Sequence, residues 1–287
     1  MNRFATAKTL LTKTFANWSE DNVPRLAAAF SFYAVLSLAP LLVFAVTIAS
    51  SFLRNGQAEK EVLAQVQQFV GSKEAATFVA SLIEKTHKGS TGTIATILSF
   101  FVTFFSASNL FLQLSDAANS IWGVKQTGSM IRNIVLTRVI AFLSVAAFGV
   151  FVLGWIGLST WLGWLNRQAE GFGGWRIVNL VVAAVFFTGV LGVAYKGLPK
   201  GKVAWRDVWP GAAIGAIGIA LSQTAFSLYF AYAGVSAAYG AAGALVVILL
   251  WIYYSSQIFF FGLEVTYTYA KEFGSLKGQN PGHLQYS

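Results

Sequence analysis

Cysteine is absent from these 287 residues, histidine occurs twice, and charged residues make up only 11%. Each shortage removes a class of chemistry. Without cysteine there are no disulfides, thiolate zinc sites, iron–sulfur clusters or cysteine nucleophiles. His87 and His283 lie far apart, one in a loop and one in a polar tail, so they cannot build a histidine-rich hydrolytic metal site. There is no phosphate-cradling glycine loop, no Asp/Glu pair accompanied by histidine, and no arginine-rich tract. These gaps argue against a nuclease, against an enzyme in general, and against a nucleic-acid partner. No cofactor is implied. An ordinary globular domain carries roughly 25% charge; the shortfall means that much of this surface does not face water.

What is present explains the deficit. The chain is 56% hydrophobic and 15% aromatic, with a mean hydropathy of +0.62. Almost all charge is missing from six stretches, 26–53, 91–115, 139–165, 177–195, 208–234 and 241–263. An α-helix rises about 1.5 Å per residue, so about 20 apolar residues cross the hydrocarbon. The expected fold is all-α, a polytopic membrane protein with six transmembrane helices. Residues 1–25 form an N-terminal amphipathic helix, 26–264 the membrane domain, and 265–287 a polar cytoplasmic tail. No short apolar run with a small-residue cleavage site precedes Leu26, so a cleaved signal peptide is not expected.

Phe4, Leu11, Phe15 and Trp18 share one face of the N-terminal helix, with Arg3 and Lys13 turned away; this fits a helix lying on the membrane, the alternative being a frayed tail. Asp21-Asn22-Val23-Pro24 breaks it, and Pro24 suits the first turn of the next helix. Between the first two spans, residues 54–90 carry two apolar helical runs, Val62 to Val70 and Phe78 to Ile83, separated by Gly71-Ser72. They read as a helical hairpin capping the outer face, with a ligand lid as the alternative.

Lys and Arg divide unequally between the two sides: thirteen on the side of both termini against seven on the other. The positive-inside rule places both termini in the cytoplasm and accounts for the net charge of +9 without invoking nucleic acid. Anionic headgroups are the matching partner. Tryptophans such as Trp155, Trp164 and Trp205 fall near span ends, where headgroups favour them.

Polar residues inside hydrocarbon are costly unless paired or wet, which makes them candidates for function. Asn109, Gln113, Asp116 and Asn119 descend one face of the second span, for either interhelical hydrogen bonds or a polar pathway. Pro40 interrupts the first span and should bend it. Gly211 and Gly215 form a small-residue face for close packing in the fifth, where Gln223 sits at mid-depth. Glu264 ends the sixth span below Gln257. It should be protonated or paired, Arg138 or Arg25 being the kind of cation expected, with proton or substrate coupling as the alternative.

Four separated motifs resemble the YihY/BrkB family of bacterial inner-membrane proteins, once labelled ribonuclease BN. They are Pro24-Arg-Leu-Ala-Ala-Ala-Phe-Ser-Phe-Tyr33 with Ser37-Leu-Ala-Pro40; Asn109-Leu-Phe through Asn119-x-Ile-Trp122; Tyr195-x-x-Leu-Pro199 with Trp205-Arg-Asp-Val-Trp-Pro-Gly211; and Tyr239-Gly through Tyr253 to Gly262-Leu-Glu264. The chain departs from the family pattern at Trp122, where tyrosine is usual, and at Ala241-Ala242, where serine and leucine are. The resemblance implies six spans, an inner-membrane location and a role with envelope molecules. The function expected is transport or flipping of an amphiphilic, lipid-like substrate. The alternative is a non-transporting envelope assembly factor, and homo-oligomerisation is left open.

Overall fold

The computed structural model of the chain describes residues 3–52, 57–70, 72–89, 93–124, 131–168, 175–201, 203–232 and 242–278. Among them every regular element is helical. The helices are α1 (Arg3–Glu20), α2 (Val23–Phe52), α3 (Gln57–Val70), α4 (Lys73–Gly89), α5 (Thr93–Ile121), α6 (Ile131–Gln168), α7 (Trp175–Gly197), α8 (Trp205–Tyr232) and α9 (Gly243–Glu272). His283, the side chains of Phe4 and His87, Gly71, and the end of the expected tail lie outside the described residues.

Among the described residues, four helices are long and apolar enough to cross a membrane: Val23–Leu42 of α2, Ile177–Gly197 of α7, Trp205–Phe230 of α8 and Gly243–Glu272 of α9. Large aliphatic side chains stand outward on α6 and α7, among them Leu143, Val150, Ile177, Leu180 and Val185. In water such a surface would drive association; against lipid tails it is the expected exterior.

Helix α9 is the hub. It packs most extensively on α8 and then on α2, α1, α4 and α5, while α6 and α7 touch each other little. Two apolar cores lie towards opposite ends of the α2–α9 pair. One joins Val23, Ala27, Ile121, Trp122, Tyr195, Val208, Phe260 and Leu263. The other joins Leu42 and Val247 to Val70, Val79 and Ile83 of the α3–α4 hairpin. Val79 and Ile83 are fully buried, so the hairpin is part of the packed body. Ser72 caps it by accepting a hydrogen bond from the Ala75 amide at 3.2 Å.

Local chemistry explains the breaks. Asn22 turns the chain from α1 to α2 in the left-handed region (φ 53°), which asparagine tolerates, and its side-chain amide donates to the Glu20 carbonyl at 3.0 Å. Gly123 (φ 64°) ends α5 in a Schellman pattern, with the Val124 amide donating to the Asn119 carbonyl at 2.9 Å. Pro40 does not interrupt α2, which runs through it from Val23 to Phe52.

Helix α9 continues past residue 264, where the cytoplasmic segment was expected to begin, to Glu272, and Val265, Thr266, Tyr267, Thr268 and Ala270 are buried. No glycine or proline stands between Leu263 and Phe273 to stop the helix, and the Thr266 hydroxyl donates to its own helix at Gly262 O. The face that α1 turns inward is polar at Thr14, and its apolar residues face outward, where a membrane surface would meet them. Thr14 is fully buried and Trp18 half-buried, whereas Leu11 and Phe15 remain exposed.

Candidate functional site

The polar residues picked out from the sequence do not converge on one place. Asn109 accepts a hydrogen bond from Arg138 Nη1 at 3.0 Å, joining α5 to α6, and the Arg138 guanidinium lies 5.1 Å from the Phe105 ring centre. Asn119 is buried and accepts from the Lys200 amide at 2.9 Å, fixing the segment after α7. Asp116 is exposed; Gln113, Gln223, Gln257 and Pro40 are half-buried. Gly211 and Gly215 are buried where α8 meets its neighbours. A Cβ at Gly215 would fall 2.6 Å from the Tyr195 hydroxyl, which itself donates to the Phe259 carbonyl of α9 at 2.8 Å. Among the described residues, no three His, Asp or Glu side chains gather as a metal site would require.

Glu264 stands apart from these. Its side chain is fully buried, and among the described residues no donor gives either carboxyl oxygen a hydrogen bond. The arginine partner expected for it is not there: Arg138 is spent on Asn109, and Arg25 is exposed. The neighbour is instead a second acid, Asp21, whose carboxyl lies within hydrogen-bonding reach. Two carboxyl groups can bond only when one of them carries a proton to donate.

The cause is the register between α1 and α9. Lys13 Nζ meets Glu272 Oε2 at 2.6 Å, and Asn17 Nδ2 donates to Thr268 Oγ1 at 3.1 Å. Asp21 then meets Glu264. Each step is four residues along both helices, in opposite directions, so the pairs form an antiparallel ladder of polar rungs. The first rung is an ion pair, the second is neutral, and the third is acid against acid. Phe15 on Phe261, with ring centres 5.1 Å apart, adds apolar contact alongside. Burial raises the Asp21 carboxyl above the usual aspartate range; contact with Glu264 opposes that, the Glu20 charge reinforces it, and Lys271 opposes it.

Sequence reading isolated Glu264 but missed Asn17, Asp21, Thr268 and Glu272. The signal was available: Lys13, Asn17 and Asp21, and Glu264, Thr268 and Glu272, are each spaced by four on one helix. Asp207 was also passed over except within a motif. It is buried and accepts from the Ser275 amide at 2.7 Å, tying the segment after α9 to the start of α8.

Comparison with known proteins agrees with the motifs. The UPF0761 membrane protein RSc1559 of Ralstonia nicotianae is 26% identical over 87% of this chain and 56% of its own length. The UPF0761 membrane protein PsycPRwf_0630 of a Psychrobacter species is 28% identical over 88% of this chain and 46% of its own. This chain therefore spans about half the length of those two relatives. YfkH of Bacillus subtilis, named only as ribonuclease-like, is 25% identical over 95% of this chain and 99% of its own length. No solved structure matches. The family described as virulence factor BrkB matches residues 14–283, and the chain belongs to it.

Proposed function

We propose that the chain is a six-span carrier of the bacterial inner membrane, with both termini cytoplasmic, that transports or flips an amphiphilic envelope molecule. The observation that carries this reading is Glu264, an ionisable group buried without a basic partner in a helix fit to span the membrane. Such groups are expensive to keep and recur on substrate and ion pathways. Two further helices, α5 with 29 residues and α6 with 38, are long enough to cross, which supports a count of six. Lipids are the expected surroundings and a lipid-like molecule the expected cargo; nucleic acid has no place in this reading, nor has a catalytic step.

A second reading, a non-transporting assembly factor, is favoured by one feature. Asn109 and Asn119 are committed to bonds between segments, as they would be in a scaffold. Reconstituted vesicles separate the two. Protein-dependent movement of a labelled phospholipid or lipid A precursor, reduced at least tenfold by Glu264→Ala in protein that still inserts, is the expected result. Absence of translocation across a panel of such lipids would leave the assembly role.

A further inference from the structure

We propose that Asp21 and Glu264 form a carboxyl pair that binds one proton, and that this proton seats α1 on α9. The inference supplies an ion for the carrier reading, and rests on that reading only for the proton's use in transport.

The ladder leads to it. Its first two rungs are attractive as they stand, an ion pair at 2.6 Å and a neutral hydrogen bond at 3.1 Å. The third brings together two groups that repel when both are ionised. Glu264 is fully buried, and no donor reaches either of its oxygens. A buried anion without donors is among the costliest arrangements a protein can hold. One proton resolves both problems: it is taken from water onto one carboxyl, whose O–H then donates to the other. Only that O–H bond forms, and the pair is left with a single negative charge.

Among the described residues no cation is paired with Glu264. From α1, Glu20 adds repulsion at Asp21; from α9 itself, Lys271 is the nearby cation, and it acts on Asp21. Lys13 is engaged by Glu272. From α8, Gly211 faces Gly262 and Thr266 at this level, while Arg206 and Asp207 lie further along, beside Ser275. From α2, Val23, Ala27 and Ser31 are the buried residues, with Arg25 exposed. From α5, Asn119 and Trp122 are buried, with Asp116 exposed. From α4, Ala75, Val79 and Ile83 pack at the opposite core.

A proton bound here does more than neutralise. With both carboxyls ionised, the third rung pushes α1 away from α9 directly before the Asn22 turn. Releasing the proton therefore loosens the ladder from its α2 end and opens Glu264 to the aqueous side.

The test is infrared difference spectroscopy of the full chain in nanodiscs, between mildly acidic and alkaline buffer. A protonated-carboxyl carbonyl band that disappears at alkaline pH is expected. It should be absent in Glu264→Gln, whose amide replaces the proton as donor and so keeps the helix seated. A band unchanged in both Glu264→Gln and Asp21→Asn would overturn the proposal, and so would no titrating band in the unaltered chain. Spin labels on Leu11→Cys and Lys277→Cys report the seating of α1 independently. Their separation should increase at alkaline pH in the otherwise unaltered chain and stay constant in Glu264→Gln and in Asp21→Lys, which makes the rung an ion pair. Separation independent of pH in the unaltered chain, or dependent on sodium instead of protons, would also overturn the proposal. Neither readout contains a transported molecule, so a negative vesicle assay leaves the proton pair standing, and a missing carboxyl band leaves the carrier standing.

Discussion

Glycines in the spans separate by what a side chain there would meet. A Cβ at Gly262 would lie 3.0 Å from the Gly211 carbonyl oxygen and 3.1 Å from Cζ of Tyr195, both held in packed helices. Gly262→Ala should destabilise the fold by about 1–3 kcal/mol, through overpacking that neither neighbour can relieve. At Gly192 the nearest atoms are 3.7–4.0 Å away, ordinary contact distance, so Gly192→Ala should be neutral or stabilise by up to about 1 kcal/mol through helix propensity. Thermal unfolding of the two variants in one detergent compares them directly. Tyr195→Phe should cost about 1 kcal/mol by removing the hydroxyl that donates to Phe259 O. The sequence made Gly211 and Gly215 legible as packing residues because small residues four apart have a simple helical meaning. It could not show Gly262 as their counterpart, since nothing local distinguishes a glycine facing a backbone from one facing lipid.

Helix α1 shows how an element can be recognised while its contacts are misread. Its helical form and apolar face follow from spacing, but its packing face is decided by α9, more than 200 residues away in sequence. The ladder makes two predictions at this scale. The Lys13–Glu272 pair is half-exposed on the lysine side, so its contribution should stay under about 1 kcal/mol and fall with salt. Lys13→Glu should loosen α1 modestly, and adding Glu272→Lys should restore it, as read by amide exchange along α1. The acid rung behaves oppositely in kind. The Asp21 carboxyl is raised in the folded state, so the folded chain holds protons more tightly than the unfolded one. Its contribution is complete at acid pH and is lost as pH rises through the folded value. Exchange protection of α1 should accordingly fall as the buffer is made more alkaline. The packing of α9 beyond residue 264 was illegible for a related reason. Threonines and tyrosines past Glu264 read as a polar end, yet they are buried because α1, α2 and α8 enclose that end of α9.

At the scale of the whole molecule, hydropathy located the apolar helices, with ends up to nine residues off, and could not rank them. Six similar apolar runs give no hint that α9 is the hub and that α6 and α7 barely meet. Which helix a membrane segment touches depends on small residues and polar rungs, not on how apolar it is. The proposed six-span arrangement makes a checkable statement about sidedness. Single cysteines introduced at exposed Lys8 and Lys277 should be labelled only from the cytoplasmic side, and one at exposed Lys60 only from the periplasm, in inverted and right-side-out vesicles.

The Asn17–Thr268 bond joins positions 251 residues apart, α1 to α9. A ribosome delivers α1 to the bilayer long before α9 exists, so α1 waits unsatisfied until α9 arrives to complete this contact. Nascent chains stalled before residue 264 should leave α1 open to protease, and chains released past residue 272 should protect it.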